Sequence, residues 1–360
     1  MTDINTFLAQ IGNHQDQSTG AISLPIHLST TYEHPKLGQS TGYDYTRTKN
    51  PTRWVLEEAL AKLENGSVAV ATSSGMSALQ LAFQYFPQGS RFLVCRDLYG
   101  GSFRFFEMLS QQGMASFEYF NNEEELVELA STDIAGIFIE TPTNPLMQVL
   151  DIKKISGIAK ANQALLIVDN TFLTPLRQKP LDLGADIVVH SGTKFLSGHN
   201  DLLAGVVVAK DQKIGEKLAW LANTTGPTLS PFDSWLFVRS LKTLALRFEK
   251  QEETAKELVK LLPQFSKIKE VIYPGVGSMI SIRVTEAALI PEILANLHLF
   301  TFAESLGGVE SLITYPTTQT HADVPKELRE AYGLTADLLR LSIGIEGSHD
   351  LAADLKAVLD

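Results

Sequence analysis

The chain has 360 residues, 44% of them hydrophobic and 20% charged, a composition typical of a globular protein with about two domains at roughly 150 residues each. Lysine and arginine number 30 against 41 aspartate and glutamate residues, and the net charge of −11 argues against a nucleic-acid binder, which carries a basic surface, and against docking on anionic membranes. A single cysteine, Cys95, excludes an internal disulfide. The sequence has no Cys/His cluster, which argues against a metal site. Together with the absence of a signal-peptide pattern, this cysteine usage predicts a cytoplasmic protein.

The first 45 residues carry Gly, Pro, Ser and Thr without a regular hydrophobic period, which predicts an extended arm. From about residue 66 to 210, short β-rich runs then alternate with helix-length segments, which indicates an α/β fold with a mostly parallel sheet flanked by helices. The predicted strands are Val68–Thr72, Arg91–Cys95, Ile134–Ile139, Ala164–Asp169, Asp186–His190 and Gly205–Ala209. The helices predicted between them include Gly75–Phe86, Ser102–Gln112 and Ile152–Ala161. Such sheets bind ligands beyond the carboxyl ends of their strands.

From Pro231 onwards the pattern changes to long helices, predicted over Pro231–Ser240 and Thr243–Leu262, followed by mixed strands and helices. This favours a smaller α+β domain at the C-terminus. The predicted organisation is therefore an N-terminal arm over 1–45, an α/β domain over 46–240 and a C-terminal domain over 241–360. We expect Cys95, which lies inside a predicted strand, to be a small core residue.

Three strand ends carry candidate functional residues. Ser191-Gly-Thr193-Lys194 places two hydroxyls and a lysine after a buried strand, and hydroxyls bind phosphate while a desolvated lysine forms a Schiff base with a carbonyl. Asp169 ends a fully apolar strand, where a carboxylate serves a cofactor, a metal or a helix cap. Ser74-Gly75-Met76 leads from a strand into a helix, whose free N–H groups bind anions. Each segment alone also suits an ordinary loop, but a lysine paired with an aspartate is what pyridoxal phosphate requires.

Taken together, these segments resemble the trans-sulfuration branch of the fold-type-I pyridoxal-phosphate enzymes, the Cys/Met metabolism enzymes, and look most similar to the short bacterial cystathionine γ-synthase and O-acetylhomoserine thiol-lyase type. The resemblance covers nearly the whole chain. Its segments include Tyr43-Asp-Tyr45-Thr-Arg47, Leu98-Tyr99-Gly-Gly-Ser102, Glu140-Thr-Pro-Thr-Asn144-Pro, Gly198-His-Asn-Asp201, Glu304-Ser-Leu-Gly-Gly-Val-Glu310-Ser311 and Leu339-Arg340-Leu-Ser-Ile-Gly.

The resemblance implies pyridoxal phosphate as cofactor, attached to Lys194, which would also move protons between substrate carbons. Asp169 would pair with the ring nitrogen, and Tyr99 would stack on the ring and assist proton transfer. The phosphate would be held by Gly75, Met76, Ser191 and Thr193, and the phenolic oxygen would lie beside Asn144. In the family, the counterparts of Tyr45 and Arg47 reach the phosphate from a neighbouring subunit, which implies a homotetramer built from two dimers with shared active sites.

For the substrate, the resemblance implies that Arg340 binds the α-carboxylate in a two-point clamp and that Arg104, Glu310 and Ser311 contribute to substrate binding. Arg104 and Glu310 match the γ-synthase and γ-lyase pattern, although a plain salt bridge between them is the alternative. Gly101 stands where methionine γ-lyases commonly carry a cysteine. The expected reaction is a γ-replacement that joins an O-acylhomoserine to cysteine, giving cystathionine in methionine biosynthesis, with sulfide as a second acceptor. The alternatives are a cystathionine γ-lyase, a β-lyase or a non-catalytic binding protein.

Overall fold

The computed structural model describes residues 3–360, and within that range it contains two β-sheets. Seven strands form the larger sheet: β1 Val68–Thr72, β2 Ser90–Cys95, β3 Ala115–Phe120, β4 Ile134–Glu140, β5 Leu165–Asp169, β6 Ile187–Ser191 and β7 Gly205–Ala209. Their spatial order is β1-β7-β6-β5-β4-β2-β3, and every pair is parallel except the two that β7 makes. The predicted mostly parallel sheet is confirmed.

All six predicted strands are present, each within one residue of its predicted bounds, because buried apolar runs have a distinctive pattern. Strand β3 was not predicted. It lies at the sheet edge and pairs only with β2, and most of its side chains are partly or fully exposed, so it lacks the continuous apolar run that marks the other strands.

The smaller sheet has five strands, in the order β10-β11-β12-β9-β8: β8 Ile268–Ile272, β9 Met279–Val284, β10 Thr301–Phe302, β11 Leu312–Thr314 and β12 Leu338–Ser342. Only the β10–β11 pair is parallel. The tight connection between β8 and β9 spans residues 273–278. This mixed, largely antiparallel sheet confirms the expected α+β character of the C-terminal part.

Thirteen α-helices occur between residues 3 and 360: α1 Ile4–Gln10, α2 Pro51–Glu64, α3 Gly75–Gln84, α4 Gly100–Gln111, α5 Glu123–Leu129, α6 Ile152–Ala161, α7 Thr174–Arg177, α8 Gln212–Thr225, α9 Pro231–Leu241, α10 Leu244–Leu261, α11 Ile290–Asn296, α12 Lys326–Ala331 and α13 Ser348–Leu359. The predicted arm is therefore not wholly extended. Helix α1 forms there because the Asp3 carboxylate accepts the backbone N–H groups of Asn5 and Thr6, an N-cap. Residues 1 and 2 of the arm lie outside the described residues.

Two large apolar cores lie against the two sheets, and helix α10 contributes to both of them. Ala245, near its start, belongs to the core of the seven-stranded sheet, and Ala255 belongs to the core of the five-stranded sheet. Because this helix is shared, the domain limits near residues 45 and 240 stay predictions. Cys95 is buried in the first core, so its predicted role as a small core residue is confirmed.

Candidate active site

A pocket of about 260 Å³ lies at the carboxyl ends of β4, β5 and β6, where the N-terminus of α3 also points. The C-terminal part of the chain closes it from the other side. Its lining residues are Ser74, Gly75, Met76, Leu79, Tyr99, Ser102, Glu140, Asn144, Asp169, Thr171, Phe172, Ser191, Thr193, Lys194, Leu203, Glu304, Ser305, Leu306, Thr320 and Arg340. Nine residues predicted to bind the cofactor or the substrate therefore meet in one cavity: Gly75, Met76, Tyr99, Asn144, Asp169, Ser191, Thr193, Lys194 and Arg340.

Lys194 lies in the turn that follows β6 and extends its amine into the pocket. The Nζ atom donates a hydrogen bond to Ser305 Oγ at 2.9 Å. Desolvation, and then the positive charge of Arg340, lower the pKa of the Lys194 amine to about 8. A neutral amine is the nucleophilic and basic form of lysine, so the pocket increases the share of that form at neutral pH.

Ser305 was missed by the sequence analysis, although it lies within the quoted segment Glu304-Ser-Leu-Gly-Gly. Its φ of 101° is unusual for a residue other than glycine. This conformation presents both of its polar groups, since its hydroxyl accepts from Lys194 and its carbonyl accepts from Arg340 Nη2 at 2.9 Å. Backbone strain of this kind concentrates at functional sites.

Two carboxyl groups end adjacent strands, because Glu140 and Asp169 are register partners of the β4–β5 pair. Asp169 Oδ1 accepts the Thr171 N–H at 2.9 Å, and Glu140 Oε2 accepts the Tyr99 N–H at 3.1 Å. Burial raises the pKa of both groups, and the Asp169 charge raises that of Glu140 further. Asp169 has no lysine or arginine within ion-pairing distance among the residues that the structure describes, so it offers its charge to a cationic group in the pocket.

The start of α3 forms a small anion site. Ser74 caps the helix by accepting the Ser77 N–H at 3.0 Å, while the first N–H groups of a helix, here Gly75 and Met76, have no partner within the helix. A Cβ on Gly75 would lie 2.9 Å from Ser191 Cβ, so only glycine lets the helix approach β6 this closely. Thr193 is less free than predicted, because its hydroxyl already donates to the Ala204 carbonyl at 3.2 Å.

Arg340 lies on β12 with its guanidinium fully enclosed. Nη1 donates to Asn144 Oδ1 at 2.8 Å. Nη2 donates to Ser305 O at 2.9 Å and to Thr314 Oγ1 at 3.0 Å. Within residues 3–360 its buried Nε has no partner and no carboxylate pairs with it. A buried arginine that is held by neutral groups and has one unpaired donor is suited to bind a carboxylate.

Tyr99 caps α4 and lines the pocket with its ring. Burial raises the pKa of its phenol, which keeps the hydroxyl protonated at neutral pH. Gly101 makes this ring position possible, because a Cβ there would lie 2.4 Å from the Tyr99 ring. A side chain at position 101 would therefore displace the ring.

Five predicted site residues do not line the pocket: Tyr45, Arg47, Arg104, Glu310 and Ser311. The alternative of an Arg104–Glu310 salt bridge is wrong, because Arg104 pairs with Asp323, and Glu310 accepts from Asn200 Nδ2 at 2.8 Å. Asn200 has a φ of 54°, a left-handed conformation that asparagine tolerates well.

Ser311 is fully buried away from the pocket. Its Oγ donates to Glu346 at 2.9 Å and accepts the Gly344 N–H at 2.9 Å, which leaves it a structural role in this chain. The serine that the structure brings to the pocket is Ser305, six residues earlier in the same segment.

Between residues 3 and 360 no helix combines the length and the apolarity needed to cross a bilayer. Over the same range no three His, Cys, Asp or Glu side chains are grouped closely enough to hold a metal ion.

A parallel sheet with a lysine, an aspartate and an anion site at its carboxyl edge defines a fold-type-I pyridoxal-phosphate enzyme. The family model of the Cys/Met metabolism PLP-dependent enzymes matches residues 5–360, and the chain belongs to this family.

Among its relatives, the cystathionine gamma-synthase/O-acetylhomoserine (thiol)-lyase of Bacillus subtilis is 51% identical, covering 99% of this chain and 96% of the relative. The crystal structure of cystathionine gamma synthase from Xanthomonas oryzae pv. oryzae in complex with cystathionine is 40% identical, with a TM-score of 0.97, covering 100% of this chain and 98% of the other. A cystathionine beta-lyase of Lactococcus lactis subsp. cremoris is 42% identical, with complete coverage of both chains. Synthases and lyases are thus both similar to this chain.

The pocket fits pyridoxal phosphate on observations of its own. Asp169 is a desolvated carboxylate that a ring-nitrogen cation would neutralise, and Gly75 lets the start of α3 lie against Ser191 at a distance that a Cβ would prevent. The amine of Lys194 lies in the same cavity. Lys194, Asp169, Tyr99 and the start of α3 are therefore the groups that would hold the cofactor.

Proposed function

We propose that this protein catalyses a γ-replacement in which an O-acylhomoserine and cysteine form cystathionine. The C–O bond at Cγ breaks, the acyl group leaves as a carboxylate, and the cysteine sulfur forms the new bond to Cγ. Sulfide in place of cysteine gives homocysteine. The observation that supports this most strongly is that Lys194, an amine of lowered pKa, and Arg340, which has no carboxylate partner, line the same pocket.

Pyridoxal phosphate, when bound, delocalises the electron pairs left on the substrate carbons after deprotonation. The chain supplies the remaining functions. Arg340 binds the α-carboxylate, and Asp169 maintains the positive charge of the ring. The phosphate would be held by the N–H groups of Gly75 and Met76 and by the hydroxyl of Ser191, while the Thr193 hydroxyl is engaged with Ala204.

Lys194 moves the protons. A γ-replacement removes protons at Cα and Cβ before the leaving group departs and returns them after the thiol adds, so one base must reach several atoms. With a pKa of about 8 the Lys194 amine is close to the working pH, which suits both uptake and return of a proton. Ser305 holds the amine toward the pocket, which Tyr99 also lines.

The assembly we propose is a tetramer of two dimers. We also propose a cytoplasmic location, because a reducing compartment suits a chain with a free thiol. The arm exposes large apolar side chains, since Ile22 is 72% exposed, Leu28 69% and Leu37 fully. Tyr45 and Arg47 lie outside the pocket of their own chain. A second copy that covers the arm would receive these two residues at its phosphate site.

Elimination is the second candidate, and the similarity to a cystathionine beta-lyase favours it.

To test the proposed function, purified holoenzyme is incubated with O-acetyl-, O-succinyl- or O-phosphohomoserine and with cysteine or sulfide, and products are identified by mass spectrometry. We expect cystathionine from cysteine. If cystathionine is instead only consumed, with release of pyruvate or 2-oxobutyrate, the lyase function replaces the proposed one.

A further inference from the structure

His321 lies completely buried beneath the pocket, in the segment between β11 and α12. Its Nε2 atom is 3.0 Å from the carbonyl oxygen of Leu98 and 3.0 Å from that of Asn144. Because carbonyl oxygens only accept, Nε2 carries the proton and donates to both. Nδ1 then lacks a proton and accepts the hydroxyl of Thr320 at 2.8 Å.

These two carbonyls belong to separate parts of the site. Leu98 directly precedes Tyr99, whose ring lines the pocket. Asn144 accepts the hydrogen bond of Arg340, the proposed carboxylate-binding residue. A single ring N–H of His321 therefore joins the loop that carries Tyr99 to the loop that orients Arg340.

The segment that carries His321 is itself held closely. A Cβ on Gly100 would lie 2.1 Å from the Thr320 carbonyl oxygen, so the start of α4 packs on this segment at a distance that only glycine permits. In addition, Arg329 Nη1 donates to the His321 carbonyl at 3.2 Å. The imidazole thus has little freedom to move without moving its partners.

Burial lowers the pKa of His321 to about 4, so the ring is neutral at neutral pH. The arrangement of one donor and one acceptor is therefore stable under working conditions. His321 does not line the pocket, so it acts on a ligand only through the residues that it holds.

We propose that His321 is a positioning residue, which aligns Tyr99 and the Asn144–Arg340 pair for binding the α-carboxylate of the amino-acid substrate. The inference rests on the proposed role of Arg340 but not on the γ-replacement itself. A displacement of about 1 Å in such groups costs about 10²-fold in catalysis, so the loss of this contact has a measurable effect.

The test compares two amides at one position. His321→Gln places an amide N–H where Nε2 lies and keeps the contact to both carbonyls, whereas His321→Asn is one methylene shorter and loses it. Glycine is the probe, because it carries an amino group and a carboxylate and has no leaving group. Its dissociation constant is obtained by absorbance titration of the holoenzyme. Thermal unfolding of each apoprotein and its affinity for pyridoxal phosphate are measured in parallel.

We expect His321→Asn to weaken glycine binding about tenfold or more and His321→Gln to stay within about threefold of the parent protein. His349, exposed on α13, gives the matched controls His349→Asn and His349→Gln, which should change nothing. Equal glycine affinities in the two His321 variants, or a lower unfolding temperature with unchanged glycine binding, would show a purely structural role and overturn the proposal.

If His321→Asn does not fold, Thr320→Val tests the proposal in its place. This substitution removes the hydroxyl that donates to His321 Nδ1 and keeps the side-chain volume. It should weaken glycine binding about threefold, and unchanged binding overturns the proposal. A parent holoenzyme that does not respond to glycine would overturn the role of Arg340 as well. A glycine response without cystathionine formation would overturn only the proposed reaction.

Discussion

We call Lys194, Asp169 and Arg340 the floor of the pocket, and Arg104 and Glu310 its rim. The two regions differ in how their charged groups are buried and paired. Each floor group has a hydrogen-bond partner within the chain, and desolvation shifts the pKa of all three. The Arg104 side chain is 63% exposed and pairs with Asp323, whose side chain is 58% exposed. Buried groups keep one geometry, whereas exposed ion pairs are screened by water and contribute little. We infer that the floor performs the chemistry and that the rim selects the second substrate.

The largest effect is expected at Lys194. Lys194→Ala removes the only amine that lines the pocket among the described residues, and we expect kcat/KM to fall about 10³-fold or more. Borohydride reduction followed by peptide mass spectrometry should attach the cofactor to residue 194 in the parent protein only. The exposed Lys153 gives the control Lys153→Ala, which should retain full activity. Substantial turnover by Lys194→Ala would show that another base does the work.

The next largest effect is expected at Asp169, and it should distinguish this residue from Glu140 at the adjacent strand end. Asp169→Asn keeps the acceptor for the Thr171 N–H and removes the charge, so kcat should fall about 10²- to 10³-fold, the usual cost of one electrostatic group. Glu140→Gln keeps the acceptor for the Tyr99 N–H. Burial and the Asp169 charge raise the pKa of Glu140 and favour its neutral form, so this variant should lose only a few-fold in kcat.

Steady-state kinetics and the absorbance of the bound cofactor report both variants. Equal losses in Asp169→Asn and Glu140→Gln would contradict the assignment of the charge to Asp169.

The lowered pKa of Lys194 predicts a pH dependence in the apoprotein. An amine reacts when it has lost its proton, so the modification rate of Lys194 should rise with pH and level off above about 8. An exposed lysine with an ordinary pKa of about 10.4 still gains reactivity there, and at pH 8 the neutral fraction of Lys194 is about 100-fold larger. Reductive methylation with formaldehyde, followed by mass spectrometry, compares Lys194 with Lys153 in one sample. A shared midpoint near pH 10 would refute the lowered pKa.

The sequence predicted the residues of the floor better than the contacts made at the rim. Lys194 and Asp169 follow apolar strands, whose pattern places them at the ligand edge of a parallel sheet, and the family resemblance supplied their roles. Ser305 was missed because a left-handed serine has no sequence signature. The Arg104–Asp323 pair joins residues 219 positions apart, which only tertiary packing brings together. Ser311 does not line the pocket, and its substrate-binding role stays a prediction, because a segment's resemblance does not show which of its serines faces the cavity.

The smallest effect is expected at the rim, where Arg104 would contact the carboxylate of the incoming cysteine. Arg104→Gln should raise the KM for cysteine about 3- to 10-fold, the effect of one exposed ion pair, while kcat stays near that of the parent. Sulfide has no carboxylate, so its KM should not change, and this comparison isolates the rim from the floor. Asp323→Asn releases Arg104 from its partner and should lower the KM for cysteine by less than about threefold. Equal changes for cysteine and sulfide in Arg104→Gln would mean that Arg104 acts on the floor and would remove the division between the two regions.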